Sequence, residues 1–279
     1  MRAFSRRAFI ASLGLGSVAC TGYAGCVEPS WLEVGRHDVK TNTPPGPPLK
    51  LLHLADFHAS WCVSLAFIAE AIELGLRDKP DLICVTGDFI TSTYDDFGAY
   101  QRVLSRLAGA APVFACLGNH DGGVWSRHSH GYPDTRQVRA LLQQSGIELL
   151  HNRSTTLALR GRPIALFGLG DCYAREAEPA RAFSARIRED ALRVVLSHNP
   201  DTKDILQPYR WDLMLSGHTH GGQVCLPLIG APFAPVNDKR FVAGLYRWNN
   251  RWLHVTKGVG NIMGLRFNCR PEVSLLTLV

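Results

Sequence analysis

The chain lacks several features that would assign it to a common functional class. Its eight cysteines include no Cys-x-x-Cys pair, so nothing predicts a zinc knuckle or a disulfide framework. The net charge is only +6, and half of that excess comes from three arginines in residues 1–26, which is too little to predict a nucleic-acid-binding protein. The predicted folded part contains no internal repeat and no low-complexity tract. A single globular domain is therefore expected.

The first 26 residues have the pattern of an export signal. A charged start precedes the weakly apolar stretch Ala8–Tyr23, which is too short for a comfortable membrane span. Ser5–Ile10 (Ser-Arg-Arg-Ala-Phe-Ile) resembles a twin-arginine signal, and that export route carries folded proteins. We expect export to the periplasm, with an uncleaved anchor at the inner membrane as the alternative.

A proline-rich stretch separates this leader from the predicted domain. Thr41–Pro48 contains four prolines, which can neither pair in the interior of a sheet nor continue a helix. We therefore predict that residues 27–48 are a stiff connector and that the folded domain comprises residues 49–279.

Short apolar runs recur along this predicted domain, and each ends at a polar turn. Continuous runs rich in Val, Ile and Leu are typical of strands covered on both faces. The runs are Leu49–Ala55, Leu82–Thr86, Val113–Leu117, Val194–Leu196 and Leu213–Leu215. Helical patterns lie between them at Ser64–Asp78, Asp95–Leu107 and Asp134–Ser145. This alternation predicts an α/β fold. A hairpin is expected around Gly161, and the tail from Phe241 to Val279 is predicted to add antiparallel strands to a second sheet.

The polar turns after these runs carry side chains that suit metal binding. In order they read Asp56-x-His58, Gly87-Asp88, Gly118-Asn119-His120-Asp121, His198 and Gly217-His218-x-His220. The carboxyl ends of strands in an open α/β sheet gather ligands into one crevice. Carboxylate, imidazole and amide oxygen together suit Mn²⁺, Fe²⁺ or Zn²⁺. Seven candidate ligands exceed the need of one ion, which indicates a pair of ions sharing a carboxylate.

These blocks, in this order, resemble the pattern D-x-H, G-D, G-N-H-[DE], H and G-H-x-H of the calcineurin-like metallophosphoesterases. A closer resemblance, over nearly the whole chain, is to the bacterial YaeI-type phosphodiesterases. Its matching stretches include Trp211–Met214, His218–Gln223 and Asn268–Val273. The resemblance implies a two-sheet sandwich of mixed β-sheets flanked by helices, with the metal site at the carboxyl ends of the strands.

The resemblance also implies a role for each residue of the blocks. Asp56, His58 and His220 would hold the first metal, Asn119, His198 and His218 the second, and Asp88 would bridge the two. His120 would protonate the leaving oxygen as general acid, with Asp121 orienting it. The implied reaction is in-line attack by metal-bound hydroxide on a phosphodiester or pyrophosphate bond. Manganese is the favoured metal, with iron and zinc as alternatives.

Relatives of this type suggest lipid-linked substrates, including UDP-2,3-diacylglucosamine of lipid A synthesis. That nucleotide sugar is made in the cytoplasm, so it conflicts with an exported enzyme. We expect a phosphodiester or nucleotide-sugar-lipid substrate and association with the membrane, and neither nucleic acid nor an obligate protein partner. A non-catalytic metal-binding scaffold is the alternative from another class, but such proteins lack several ligands and this chain lacks none.

The sequence also supports predictions for four residues outside the ligand blocks. His53 lies within an apolar run, so it is expected to be a hydrogen-bonded core group or to support the site. In the loop after His120, His128 is expected to be solvated, while Trp125 either caps the substrate or packs on the surface. Arg266 is expected either to contact a phosphate or to pair with a carboxylate.

Overall fold

The computed structural model describes residues 21–41 and 46–279. The twin-arginine motif and the prolines at positions 44 and 45 lie outside these ranges, so the predicted signal stays a prediction. The described chain begins with a helical turn over Tyr23–Val27 and a short 3-10 helix over Glu28–Ser30. Two mixed β-sheets of six strands each follow, flanked by helices, as the sequence predicts.

The first sheet combines parallel and antiparallel pairs. In spatial order its strands, numbered along the chain, are β1 (Glu33–Val39), β12 (Glu272–Leu278), β2 (Leu49–Leu54), β3 (Leu82–Thr86), β4 (Val113–Cys116) and β5 (Glu148–Leu149). Strands β2 to β5 run parallel to one another, and β12 is antiparallel to β2. The carboxyl ends of β2, β3 and β4 therefore meet at one edge.

The second sheet has the same mixed character. Its order is β10 (Gly244–Trp248), β11 (Arg251–Val255), β9 (Leu213–Ser216), β8 (Leu192–Leu196), β7 (Arg162–Gly168) and β6 (Arg153–Leu159). Strands β7, β8, β9 and β11 are parallel. Strands β6 and β7 are antiparallel, with Leu159 opposite Arg162, which confirms the predicted hairpin.

Five helices flank the sheets: α1 (Leu65–Leu76), α2 (Phe97–Ala108), α3 (Val124–His128), α4 (Arg136–Gln144) and α5 (Pro179–Ala182). Helices α1, α2 and α4 cover the outer face of the first sheet, whereas α5 packs against the second sheet. Ile68 of α1 and Leu104 of α2 are buried in the same cluster as Leu52 and Val85, and a second cluster that includes Cys84 fills the space between the sheets. Burial of these apolar side chains supplies most of the driving force for the fold. None of the helices in residues 21–41 and 46–279 combines the length and hydrophobicity that crossing a bilayer requires.

The folded domain begins before the predicted boundary at residue 49. Within the predicted connector, Glu33–Val39 forms β1 and pairs in parallel with β12, placing Val34 opposite Val273. The sequence of β1 has few apolar residues, because an edge strand is paired along one side only and is largely open to solvent on one face. Glu33–Val39 is therefore part of the folded domain and not of a connector.

The tail is divided between the two sheets. Strands β10 and β11 join the second sheet as an antiparallel pair, as predicted, whereas β12 inserts between β1 and β2 of the first. The prediction that the whole tail closes the second sheet is therefore wrong for Glu272–Leu278. An apolar strand pattern indicates burial but carries no information about which sheet receives the strand.

Candidate metal centre

The loops after β2, β3, β4, β8 and β9 converge at one end of the sandwich. All seven predicted ligands lie there, and each is no more than 5% exposed: Asp56, His58, Asp88, Asn119, His198, His218 and His220. Six of these side chains, all except Asn119, form two clusters that meet at Asp88.

The first cluster contains Asp56, His58 and His220. The Nε2 atoms of His58 and His220 are 3.0 Å apart, and Nε2 of His220 is 3.6 Å from Oδ1 of Asp56. Nδ1 of His58 is 3.1 Å from the hydroxyl of Thr91. That contact leaves Nε2 of His58 directed at the other two groups.

The second cluster contains Asp88, His198 and His218. Nδ1 of His218 is 3.2 Å from Nε2 of His198, which is 3.1 Å from Oδ2 of Asp88. The same Oδ2 atom is 3.4 Å from Nε2 of His58 in the first cluster. Asp88 therefore presents one oxygen to both clusters, as a bridging carboxylate would.

The arrangement fits a pair of divalent cations. His58 and His220 form one pair of close imidazole nitrogens, and His198 and His218 form another. Each pair lies within hydrogen-bond distance but can share only one proton. Oδ1 of Asn119 is buried and has no hydrogen-bond partner among the residues that the structure describes. Converging lone pairs of this kind are costly unless a cation or protons compensate them. The donor set contains nitrogen and oxygen without thiolate, which suits Mn²⁺, Fe²⁺ or Zn²⁺.

Burial and the Asp88 carboxylate shift the pKa values of the clustered histidines. Burial lowers the pKa of His58 to about 4 and that of His218 to about 3, so both imidazoles are neutral and offer lone pairs at pH 7. Burial opposes the charged form of His198 as well, but the Asp88 carboxylate outweighs it and raises the pKa of His198 well above its usual value.

Backbone conformation brings the ligands close together. Five of the seven have φ in the left-handed region, which non-glycine residues occupy rarely: Asp56 at 54°, His58 at 48°, Asp88 at 56°, His218 at 69° and His220 at 50°. Such strain is typical of functional sites. A Cβ atom on Gly217 would overlap the Asp56 carboxylate, and one on Gly118 would overlap that of Asp88. These two glycines are therefore needed for the close approach of the loops.

His120 lies beside the clusters and faces a cavity. Its Nδ1 is 2.6 Å from the carbonyl oxygen of Thr91, which can only accept, so Nδ1 carries a hydrogen. Its backbone N–H donates to Oδ1 of Asp88 at 2.9 Å, and its ring packs 4.4 Å from that of Trp125. Nε2 is the ring nitrogen that remains for other contacts. A nitrogen of His120 also lies within ligand range of His58 and Asp88.

Asp121 does not lie where the sequence analysis expects it. Its carboxylate accepts hydrogen bonds from the backbone N–H groups of Gly118 at 2.8 Å, Asp88 at 2.9 Å and Phe89 at 2.7 Å. The ring of His120 is oriented by the Thr91 carbonyl instead. The predicted orienting role of Asp121 is therefore wrong, and its carboxylate ties the loop after β3 to the loop after β4.

Sequence reasoning missed two threonines that fix imidazole tautomers. Nδ1 of His198 donates to the carbonyl of Thr86 at 2.8 Å, and Thr91 contacts both His58 and His120. Supporting contacts of this kind orient metal-binding imidazoles. Backbone carbonyls leave no signature in a sequence, so no pattern could have identified either residue.

The structure also shows the surroundings of His53 and Arg266, whose roles the sequence left open. His53 is fully buried and its Nε2 lies 2.8 Å from the Thr86 hydroxyl, which confirms the core reading. Arg266 neither faces the cavity nor pairs with a carboxylate. Its buried guanidinium donates to the carbonyls of Lys257 at 2.8 Å, Gly258 at 3.1 Å and Cys269 at 3.0 Å, and so it holds the loop that packs against Asp56.

A cavity of about 390 Å³ opens over the clusters. Its floor is polar and includes Asp88, Asn119, His120, His218 and His220, whereas its walls are mainly apolar: Trp125, Tyr173, Val224, Phe233, Pro235, Ile262 and Met263. Trp125 therefore belongs to the cavity wall, whereas the side chains of Phe233 and Met263 extend to the solvent, 74% and 81% exposed. A larger cavity of about 550 Å³, lined by Arg139, His151 and Arg153, contains none of the clustered side chains.

Comparison with known proteins agrees with this geometry. The family model described as calcineurin-like phosphoesterase matches residues 49–222. The chain is 44% identical to phosphodiesterase YaeI of Escherichia coli over 99% of both chains. It is 30% identical to metallophosphoesterase YkuE of Bacillus subtilis, over 100% of this chain and 99% of that protein. It is 28% identical to UDP-2,3-diacylglucosamine pyrophosphatase LpxG of Chlamydia muridarum, over 82% of this chain and 83% of the relative.

Proposed function

Because the chain belongs to the calcineurin-like phosphoesterase family and is a hydrolase acting on phosphoester bonds, we propose that it hydrolyses phosphodiester or pyrophosphate bonds with two divalent metal ions. The observation that carries the proposal is the position of Asp88 Oδ2, between Nε2 of His58 and Nε2 of His198. Asp56, His58 and His220 would hold one ion and Asn119, His198 and His218 the other. When bound, such a pair polarises phosphoryl oxygens and lowers the pKa of water.

His120 acts as the general acid in this proposal. The Thr91 carbonyl holds its Nδ1–H, so Nε2 faces the cavity and delivers a proton to the leaving oxygen. The ring of Trp125 packs against it and limits its rotation.

The first experiment measures hydrolysis of bis-(p-nitrophenyl) phosphate and of p-nitrophenyl phosphate with added Mn²⁺, Fe²⁺ or Zn²⁺. We expect metal-dependent activity, highest with Mn²⁺ and preferring the diester. His220→Ala is expected to abolish it, because that change removes a ligand nitrogen. His128→Ala is the matched control, since His128 is exposed and caps its own helix through the Val124 carbonyl. Activity that survives in His220→Ala, or absence of activity with every metal, contradicts the proposal.

The second experiment separates the role of His120 from metal binding. A general acid matters most when the leaving group is a poor one. We therefore expect His120→Asn to slow hydrolysis of an alkyl phosphodiester by ~10²-fold or more, and that of the p-nitrophenyl diester much less. The two metal equivalents should be retained. An equal loss with both leaving groups would assign His120 to metal binding or binding of the substrate instead.

The second candidate is cleavage of a lipid-linked pyrophosphate, such as UDP-2,3-diacylglucosamine. The apolar walls above a polar floor favour a substrate with both apolar and phosphate parts, and the LpxG relative supports this class. Phe233→Ser is expected to raise KM for the lipid-linked substrate while leaving hydrolysis of the small diester unchanged. Equal effects on both substrates would remove the reason for preferring a lipid.

We propose that the protein is exported and works at the membrane, where a lipid-linked phosphodiester would be accessible. Fractionating cells that express a tagged chain tests this, and replacing Arg6 and Arg7 together with lysine should retain the protein in the cytoplasm. If the wild-type chain is found in the cytoplasm, the cytoplasmic nucleotide sugar becomes the favoured substrate.

A further inference from the structure

A second group of potential metal ligands lies between the two sheets, outside the proposed catalytic pair. It consists of His37 on β1, His254 on β11 and Glu272 at the start of β12. One nitrogen of each histidine and one carboxylate oxygen of Glu272 all lie within 4.8 Å of one another. The catalytic clusters satisfy the same geometric condition, so this group resembles them in its donor arrangement.

His254 is the centre of this group. It is fully buried, and its Nε2 has no hydrogen-bond partner among the residues that the structure describes. Its Nδ1 lies 2.9 Å from Nδ1 of His53, while Nε2 of His53 lies 2.8 Å from the Thr86 hydroxyl. When His254 Nδ1 donates to His53 and His53 Nε2 donates to Thr86, Nε2 of His254 carries a lone pair. A buried lone pair of this kind needs a partner.

The surroundings place a half-buried imidazole and a buried carboxylate beside that lone pair. The rings of His37 and His254 are 5.0 Å apart at 58°. Glu272 is 4% exposed, and its side chain lies over Gly35, where a Cβ atom would overlap the carboxylate. Its Oε1 accepts from the Ser274 hydroxyl at 2.5 Å.

The charge on Glu272 is only partly compensated. The ammonium of Lys257 is 4.0 Å from Oε2, and it makes a closer ion pair with Glu33. Burial of a carboxylate is costly unless it is well paired. The group therefore combines an unsatisfied nitrogen with an incompletely neutralised anion, and a divalent cation would satisfy both.

We propose that His37, His254 and Glu272 form a third metal site that binds Zn²⁺. Two imidazoles and one carboxylate, with water in the fourth position, are an established donor set for zinc. The ion joins β1 and β12 of the first sheet to β11 of the second, so its role is to fasten the edge of the sandwich. This proposal does not depend on the proposed hydrolytic function.

The test measures the zinc content of the full chain by mass spectrometry of the metal, after saturation with Zn²⁺ and removal of the excess by gel filtration. We expect three equivalents per chain in the wild type and two in His37→Asn and in Glu272→Gln. His130→Asn serves as the matched control with three equivalents, because it changes a histidine that belongs to neither site. Circular dichroism and retained diesterase activity establish that the variants are folded.

Thermal unfolding gives a second readout. Adding zinc at 100 times its dissociation constant should raise Tm of the manganese-loaded wild type by ~5 °C or more, since binding to the folded state alone stabilises it. His37→Asn should lose that increase. Equal zinc contents in wild type and His37→Asn, with equal responses of Tm, would overturn the proposal. An inactive wild type that still binds one more zinc ion than His37→Asn would contradict the proposed function and leave this site intact.

Discussion

The structure contains two buried histidine-rich groups that differ in where they lie on the strands. The proposed catalytic group lies on loops beyond the carboxyl ends of β2, β3, β4, β8 and β9, with left-handed backbone at five ligands and a cavity above it. The group His37, His254 and Glu272 projects from strands β1, β11 and β12 into the space between the sheets. Loops can turn several donors toward one point and leave an open side for substrate. Residues in the interior of a strand can also supply metal ligands, but they leave no open side for a substrate.

The largest expected effect distinguishes the chemistry of the two groups. Asp88→Asn should lower kcat/KM for the diester by ~10³-fold or more, because the bridging charge is lost and several kcal/mol of charge stabilisation depend on it. Glu272→Gln should leave kcat/KM within a factor of ~3, since Glu272 belongs to neither catalytic cluster and is not among the residues that line the cavity. Steady-state kinetics with Mn²⁺ checks both. Comparable losses would mean that the two groups act as one site.

The second prediction concerns access to the two groups. A chelator such as EDTA should remove the ions of the catalytic group first, because that group lines an open cavity, whereas His254 is fully buried. Activity should therefore disappear while one zinc equivalent remains bound. Simultaneous loss of activity and of all zinc would remove the distinction between an open and a closed site.

The third prediction tests how the catalytic loops are held. Asp121→Asn replaces a carboxylate that accepts three backbone hydrogen bonds with an amide that can satisfy fewer of them. We expect the free energy of unfolding to fall by ~2 kcal/mol and metal affinity to fall by ~10- to 100-fold. Urea denaturation and metal titration measure these changes. A loss of the general-acid step alone, with stability unchanged, would restore the orienting role that the sequence suggested.

The smallest expected effect concerns the link between the two groups. Thr86→Val removes the hydroxyl beside His53 but keeps the backbone carbonyl that accepts from His198. We expect a loss of ~1 kcal/mol in the free energy of unfolding and little change in kcat. Urea denaturation and kinetics on the same preparation test this. A large fall in kcat would show that the buried histidine chain influences the metal ligand.

The ligand blocks were predictable because each follows a short apolar run. Together they combine Asp, Asn and His, a set of side chains that is typical of metal sites. Asp121 could not be assigned correctly, since a carboxylate beside a histidine in sequence has no fixed direction in space. Strand β1 was missed because its polar composition matches an edge position, and the strand is recognisable only through its partner β12. Thr86 and Thr91 orient His198 and His120 through backbone carbonyls, which every residue carries.

The sequence by itself determined the α/β class, the five strands that carry the ligand blocks and the set of residues that meet at their carboxyl ends, because side-chain type and apolar periodicity are local properties. Tertiary structure alone decided that β12 crosses to the first sheet, that Asp121 faces backbone amides and that His37, His254 and Glu272 meet. These outcomes depend on contacts between segments far apart in the chain. Such contacts are selected by packing of the whole sandwich, so no local pattern encodes them.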